Sequence, residues 1–136
     1  MRKWMMSAAA GAAAGLWAVT ALSQAQAPAT VQGTRYIESP LEGDATKIVR
    51  LTTVTIQPGG GNNFHRHPGD QWQVVQEGEV TFTIKGQPPR KLKVGDSVHI
   101  PRGTIHRNQN MTDKPSRSVE LVIVDKDKPQ TEQVAD

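Results

Sequence analysis

The chain has 136 residues, which is room for about one domain, and it contains no cysteine, so disulfides, thiolate metal sites and cysteine nucleophiles are excluded. Its first 27 residues hold 18 of the apolar residues and 10 of the 13 alanines, and the aliphatic sequence that remains is too sparse for a helical bundle, a coiled coil or a polytopic membrane protein. The formal net charge is +3, but two of the basic residues lie in this leading segment, so the rest of the chain is close to neutral and shows no nucleic-acid-binding charge pattern. A small all-β domain fits this composition.

The amino terminus has the organisation of an export signal. Two basic residues open the chain, and no charged residue follows from Trp4 to Thr34, a span that begins with an alanine-rich stretch. Small residues at the positions that signal peptidase inspects predict cleavage after Ala25 or after Ala27, and an uncleaved membrane anchor is the alternative. We therefore expect residues 1–25 to be a signal peptide, and the mature protein to be periplasmic or secreted and free of the membrane.

In the rest of the chain, glycine and proline residues separate short segments, as turns separate the strands of a β-domain. Residues 28–46 are polar and interrupted by proline and glycine, which predicts an extended arm lying across the barrel or a neighbouring subunit. From residue 47 onward the apolar pattern has a period of two, most clearly in Glu79–Lys85, and glycine and proline turns recur at short intervals. Residues 47–125 thus predict a barrel of short strands, followed by a polar tail, residues 126–136, that frays.

Two of the four histidines, His65 and His67, lie two residues apart between a glycine-rich turn and a predicted strand. Because side chains alternate along a strand, residues at this spacing share one face, so both imidazoles can reach one ion, and Gln71 has the same parity. His106 follows the turn Pro101-Arg102-Gly103, which could carry it across the barrel as a third ligand. A solvated histidine pair without a metal is the alternative that this spacing alone leaves open.

Two stretches of the sequence resemble the two motifs of the cupin family. The first consists of Gly59, five residues, His65-Arg66-His67, three residues, Gln71, six residues and Gly78, with Gln71 at a position where the family usually has glutamate. The second consists of Gly95, five residues, Pro101-Arg102-Gly103, two residues, His106, three residues and Asn110. The resemblance covers about residues 47–125 and is closest to small, exported, single-domain bacterial cupins of the quercetin dioxygenase-like type.

The resemblance implies a double-stranded β-helix, a jelly-roll barrel of six to eight strands, that holds one divalent transition metal per chain through His65, His67, Gln71 and His106. Gln71 keeps a carbonyl oxygen but carries no negative charge, so the ion would bind more weakly, act as a stronger Lewis acid and lack a neighbouring carboxylate base. Three imidazoles and one amide suit Fe, Ni, Co, Cu, Mn or Zn without choosing among them. If Gln71 points away, the three histidines hold the metal alone, and Asp70 has the wrong strand parity to replace it.

Two further residues are weaker candidates for catalysis. His99 lies in an apolar strand and could face the cavity as a base, the alternative being a packed or exposed strand histidine. Arg102 could meet a substrate carboxylate at the mouth of the cavity, or could be a solvated turn residue. Trp72 has the parity opposite to Gln71 and is predicted to pack on the other face of the strand.

Three functional classes fit these features, because cupin barrels carry many chemistries. The first is a metal-dependent enzyme acting on a small oxygen-rich ligand, either a dioxygenase-like oxidoreductase or a Lewis-acid isomerase or lyase. The second is a non-catalytic periplasmic protein that binds a metal or small ligand, and the third is a structural barrel. Since related barrels often dimerise, we expect a homodimer in which residues 28–46 could form part of the contact.

Overall fold

The computed structural model of the protein describes residues 30–135, in which the secondary structure consists of β-strands. In chain order these are β1 (Val31–Leu41), β2 (Asp44–Ile56), β3 (His65–Arg66), β4 (Gly69–Glu77), β5 (Glu79–Ile84), β6 (Arg90–Lys93), β7 (Ser97–Ile100), β8 (His106–Gln109), β9 (Ser116–Asp125) and β10 (Glu132–Gln133). Within this range no helix occurs, and none is therefore available to cross a membrane. The predicted signal peptide, residues 1–25, lies outside the described residues.

The strands form two five-stranded sheets, ordered β1-β2-β9-β4-β7 in the first and β10-β3-β8-β5-β6 in the second. All strand pairs in both sheets are antiparallel. Between β4 and β9 the chain passes repeatedly from one sheet to the other, which is the winding of a double-stranded β-helix. The predicted all-β jelly roll is confirmed, with more strands than the six to eight expected of it.

Alternation along each strand sends one set of side chains into the space between the sheets. In β4, Gln71 and Gln73 are buried, whereas Trp72 is exposed on the outer face. The apolar members of the inner set form one cluster: Val75, Val80, Phe82, Leu92, Val98 and Ile100. The Phe82 ring centroid lies 5.8 Å from that of His106, so the apolar core continues directly into the polar part of the interior.

The first residue of β4 brings that strand unusually close to β9. Gly69 pairs with Val124, and a Cβ atom at Gly69 would overlap the carbonyl oxygen of Ile123. Glycine is the residue that permits this approach of two backbones. The approach fixes the register in which Gln71, two residues further along, pairs with Val122.

The segments predicted as an arm and a tail both add strands to the barrel. In the predicted arm, Val31–Leu41 form β1, which pairs with β2 at the edge of the first sheet. Residues 126–136 were expected to fray, whereas Glu132 in β10 pairs with Arg66 in β3 and forms a salt bridge of 2.8 Å with it. Neither segment has a strong strand pattern of its own. Each becomes a strand because it pairs with another one, β1 with β2 and β10 with β3, so the pairing and not the local sequence determines its conformation.

Candidate metal centre

Three histidines converge in the interior, on adjacent strands of the second sheet. His65 in β3 pairs directly with His106 in β8, and His67 follows β3 immediately. The ring centroids are 4.4 Å apart for His65 and His106, 5.0 Å for His65 and His67, and 5.3 Å for His67 and His106. All three are buried, and one nitrogen from each lies within 4.8 Å of the others, an arrangement that could hold a metal ion. We refer to His65, His67 and His106 as the histidine triad.

Backbone carbonyl groups determine which nitrogen each histidine presents to the centre of the triad. In every case Nδ1 faces a carbonyl oxygen, at 2.9 Å for Asn63, 2.7 Å for Gln130 and 3.0 Å for Thr104. A carbonyl oxygen only accepts hydrogen bonds, so Nδ1 carries the proton and donates, and Nε2 keeps its lone pair. The Nε2 atoms of His67 and His106 are buried and have no hydrogen-bond partner, which is the condition expected of ligands prepared for a cation.

Burial keeps the triad uncharged. Desolvation lowers the pKa of His65 and of His67 below the ordinary value, and it lowers the pKa of His106 to about 4. The hydrogen bonds from Nδ1 to the backbone oppose this effect in each case, but they are the smaller contribution. Near neutral pH the triad is therefore in the deprotonated form that binds metals.

Gln71 lies in the interior beside the triad, as its strand parity predicts. Its side chain is buried and raises the pKa of the neighbouring His67. The amide Nε2 donates a hydrogen bond of 2.9 Å to Glu120, whereas Oε1 is buried and finds no donor of good geometry. Two unpartnered imidazole nitrogens and one unpartnered carbonyl oxygen form a donor set of the kind that transition metals prefer, so the residues present fit the metal that the family resemblance implies.

Glu120, which lines the cavity and contacts Gln71, is a candidate that sequence reasoning missed. It lies in β9 opposite Gln73, and its partly buried side chain points into the barrel. Desolvation raises the pKa of Glu120 to about 7, and the hydrogen bond from Gln71 opposes that rise. The available signal was parity: Glu120 shares the alternation of Ser118 and Val122, both of which are buried, so the strand pattern directs an acidic residue inward.

A cavity of about 350 Å³ adjoins the triad, a size that suits a small molecule. Aliphatic and polar side chains share its wall: Val31, Gly33, Thr52, Val54, Asn62, His65, His67, Gln71, Asn108, Glu120, Gln130, Thr131 and Gln133. Several of these residues come from the two segments predicted as arm and tail. The tail also supplies the Gln130 carbonyl that fixes the tautomer of His67.

His99 does not face this cavity, and it is the exposed strand histidine that the sequence left as the alternative. Its ring stacks on Trp72 on the outer face of the first sheet, with centroids 5.0 Å apart and ring planes at 10°. Its Nε2 lies 3.9 Å from Asp70, whose carboxylate also points outward, as its parity predicts. Inward burial of Val98 and Ile100 on either side explains why His99 is directed out.

Arg102 is also away from the cavity wall. Its guanidinium donates two hydrogen bonds, of 2.9 Å and 2.7 Å, to the carboxylate of Asp125. This pair joins the turn before β8 to the end of β9, and it raises the pKa of Arg102 through the hydrogen bonds to Asp125. The structure thus gives Arg102 a partner within the protein and no position from which to meet a ligand in the cavity.

The fold, the triad and the cavity agree with a family assignment from sequence. Residues 52–124, more than half of the chain, match the family described as Cupin domain. The chain is a member of the cupin family. The resemblance of its two motifs to those of cupins is confirmed.

Two curated relatives are similar to part of the chain. YdbB, an uncharacterized protein of Bacillus subtilis, is 36% identical over 76 residues, which cover 55% of this chain and 60% of YdbB. Dimethylsulfoniopropionate lyase DddQ of Ruegeria pomeroyi is 36% identical over 58 residues, which cover 43% of this chain and 28% of DddQ. The matched regions span less than two thirds of either relative.

Solved structures show the same fold. The crystal structure of DddQ from Ruegeria pomeroyi superposes with a TM-score of 0.63 at 24% identity, over 77% of this chain and 52% of that protein. An oxalate oxidase in complex with glycolate superposes with a TM-score of 0.62 at 23% identity, over 79% of this chain and 56% of that protein. At these identities the likeness establishes the barrel, and the activities named belong to those two proteins.

Proposed function

We propose that this cupin is a metal-dependent enzyme that acts on a small, oxygen-rich molecule bound in the cavity beside the histidine triad. The observation that carries the proposal is the convergence of three neutral imidazoles with an unpartnered amide oxygen at the wall of a cavity of about 350 Å³. Buried polar atoms without partners are costly to maintain. Three such atoms at one site, Nε2 of His67, Nε2 of His106 and Oε1 of Gln71, are best explained by a ligand that they share.

In this proposal the triad holds one divalent transition metal through Nε2, and Gln71 holds it through Oε1. Such an ion supplies Lewis acidity toward a ligand oxygen. The chain itself provides the rest of the binding site, with Thr52, Asn62 and Asn108 as hydrogen-bonding groups in the cavity wall. These side chains can orient a ligand that carries hydroxyl, carbonyl or carboxylate oxygens.

A Lewis-acid isomerase or lyase is favoured over a dioxygenase. The ligand set proposed for the metal carries no charge of its own, which leaves the ion strongly electron-withdrawing. A likeness to a protein named as a lyase, DddQ, supports the same class. The proposal also includes export to the periplasm or beyond, which the amino-terminal sequence supports. It includes assembly as a homodimer as well, because related barrels often dimerise.

The test is elemental analysis of the protein purified without an affinity tag, followed by incubation with a panel of sugar acids, keto acids and phenols while dissolved oxygen is monitored. We expect about one transition metal per chain, and its loss in the double variant His65→Ala, His67→Ala. Conversion of a panel member without oxygen uptake would support isomerase or lyase chemistry, and oxygen uptake would support a dioxygenase. A bound metal without turnover would favour the binding-protein alternative, and absence of metal from the wild-type protein would contradict the proposal.

A further inference from the structure

Two glutamines at equivalent positions of β4 differ in how their amides are satisfied. Gln73 donates from Nε2 to the Ser118 hydroxyl at 3.1 Å and accepts from Asn108 at Oε1 at 3.0 Å, so both ends of its amide have partners. Gln71, two residues away on the same face, donates from Nε2 to Glu120 at 2.9 Å and has no partner at Oε1. Each glutamine thus donates a hydrogen bond to an inward-facing side chain of the neighbouring strand β9. The acceptor is a carboxyl group for Gln71 and a hydroxyl group for Gln73.

The hydrogen bond between Gln71 and Glu120 runs from the amide NH₂ to a carboxyl oxygen. The carbonyl oxygen of Gln71 therefore points the other way, toward the histidine triad, where the Gln71 side chain raises the pKa of His67. An isolated glutamine in the same place could present either end to the triad, and the NH₂ end cannot ligate a cation. The contact with Glu120 removes that ambiguity.

Glu120 also lacks a positive partner within the part of the chain that the structure describes. None of the ion pairs there involves it, and no lysine or arginine lines the cavity into which it points. A carboxylate withdrawn from water is costly unless a cation or hydrogen bonds compensate it. A divalent ion in the histidine triad would provide that compensation, because Gln71 spans the interval between the two.

We infer that Glu120 is a positioning residue of the metal centre: it holds the Gln71 amide with Oε1 toward the histidine triad and places a carboxyl group behind that neutral ligand, whereas a glutamate at position 71 would place its charge on the ion directly. In effect, the carboxyl group typical of the site is found on the neighbouring strand, β9, and no longer on β4. This inference rests on the metal binding in the proposed function, and it names a residue that the two cupin motifs do not contain.

A double-mutant cycle tests the inference with Co²⁺, whose absorption spectrum reports the number and type of its ligands. Glu120→Gln is isosteric and can still accept the hydrogen bond, but it lacks the charge, so we expect Co²⁺ affinity to fall by about 10-fold to 100-fold with little change of spectrum. Glu120→Leu also loses the orientation of Gln71, so its spectrum should change as well. The matched control is Ser118→Ala, which removes the equivalent support of Gln73 and should alter neither affinity nor spectrum.

The exchange of the two groups completes the cycle. Gln71→Glu alone places two carboxylates within hydrogen-bonding distance, so their repulsion should cancel much of the gain from a charged ligand. The double variant Gln71→Glu, Glu120→Gln restores one carboxylate and one amide with their positions exchanged. We expect this variant to bind Co²⁺ at least as tightly as the wild type, and about 10-fold or more tightly than Glu120→Gln, with clearly non-additive effects across the cycle.

Additive effects, or a Glu120→Gln variant that binds Co²⁺ as the wild type does, would overturn the inference while the proposed function stands. A wild-type protein that binds no Co²⁺, Zn²⁺ or Ni²⁺ would overturn the proposed function and the inference with it. The wild-type chain provides a measurement that does not depend on any variant folding. Saturation with Zn²⁺ must shift the side-chain amide resonances of Gln71 and leave those of Gln73 nearly unchanged, and an unmoved Gln71 signal would refute its orientation toward the ion.

Discussion

Replacement of His106 by alanine separates the metal-binding role of the histidine triad from its contribution to the fold. In the metal-free protein the change removes one hydrogen bond, from Nδ1 to the Thr104 carbonyl oxygen at 3.0 Å, worth about 1 kcal/mol, and leaves a small void. It also removes the buried and unpartnered Nε2, which by itself costs the folded state about 1–3 kcal/mol. These effects oppose each other, so the free energy of unfolding of the metal-free protein should change by no more than about 2 kcal/mol.

The metal-dependent part of the stability should respond very differently. At a free metal concentration of about 100 times Kd, binding adds about 2.7 kcal/mol to the free energy of unfolding of the wild-type protein. Loss of one of three imidazole ligands should reduce that increment to near zero at the same metal concentration. Urea unfolding with and without Co²⁺, followed by circular dichroism, measures both quantities. His99→Ala removes a histidine on the outer face and should keep the full increment, whereas an unchanged increment in His106→Ala would refute the assignment of His106 to the site.

Two further predictions concern the framework of the site. Gly69→Ala should lower the free energy of unfolding by at least about 3 kcal/mol, because the new Cβ would overlap a backbone oxygen of β9; a Tm within a few degrees of the wild type would contradict this. The hydrogen bonds from Arg102 are the main cause that lowers the pKa of Asp125 in the folded protein. A carboxyl group with a lowered pKa stabilises the fold at pH values above its unfolded pKa of about 4. That stabilisation is lost as the pH falls from there through the folded pKa. Arg102→Ala should therefore have a lower Tm than the wild type at pH 7, and the difference should shrink below pH 4, whereas a difference that is constant with pH would contradict the assignment.

The local part of the site could be predicted from the sequence. The spacing of His65 and His67 forces their side chains onto one face of an extended chain, and this holds whatever the rest of the barrel does. The parity of Gln71 follows from the same rule. His106 was grouped with them through the turn that precedes it and through the resemblance to the second cupin motif, and its pairing with His65 accounts for the convergence.

The remainder of the site depends on contacts between residues that are far apart in the chain. Glu120 reaches Gln71 across the register of β4 with β9, which no local pattern specifies. The same is true of Gln130, whose backbone carbonyl fixes His67 from a segment with too few apolar residues to predict a strand. The outward direction of His99, in contrast, could be predicted locally. Its neighbours Val98 and Ile100 are apolar and face inward, so alternation along the strand directs His99 out of the barrel.

The charges around the cavity constrain what this cupin can bind. In the described part of the chain, no lysine or arginine lines the cavity. The three imidazoles and the amide are neutral, and Glu120 is the acidic group. The site therefore has a net positive charge only while a divalent ion is bound. Above the Glu120 pKa of about 7, an anionic ligand such as glycolate should therefore bind the metal-loaded protein and should not bind the metal-free protein, where the ionised Glu120 would repel it. Calorimetric titration of both forms with glycolate measures this difference. Equal affinity in the two forms would mean that the protein recognises anions without the ion, and the proposed roles of the triad and of Glu120 in ligand binding would then be wrong.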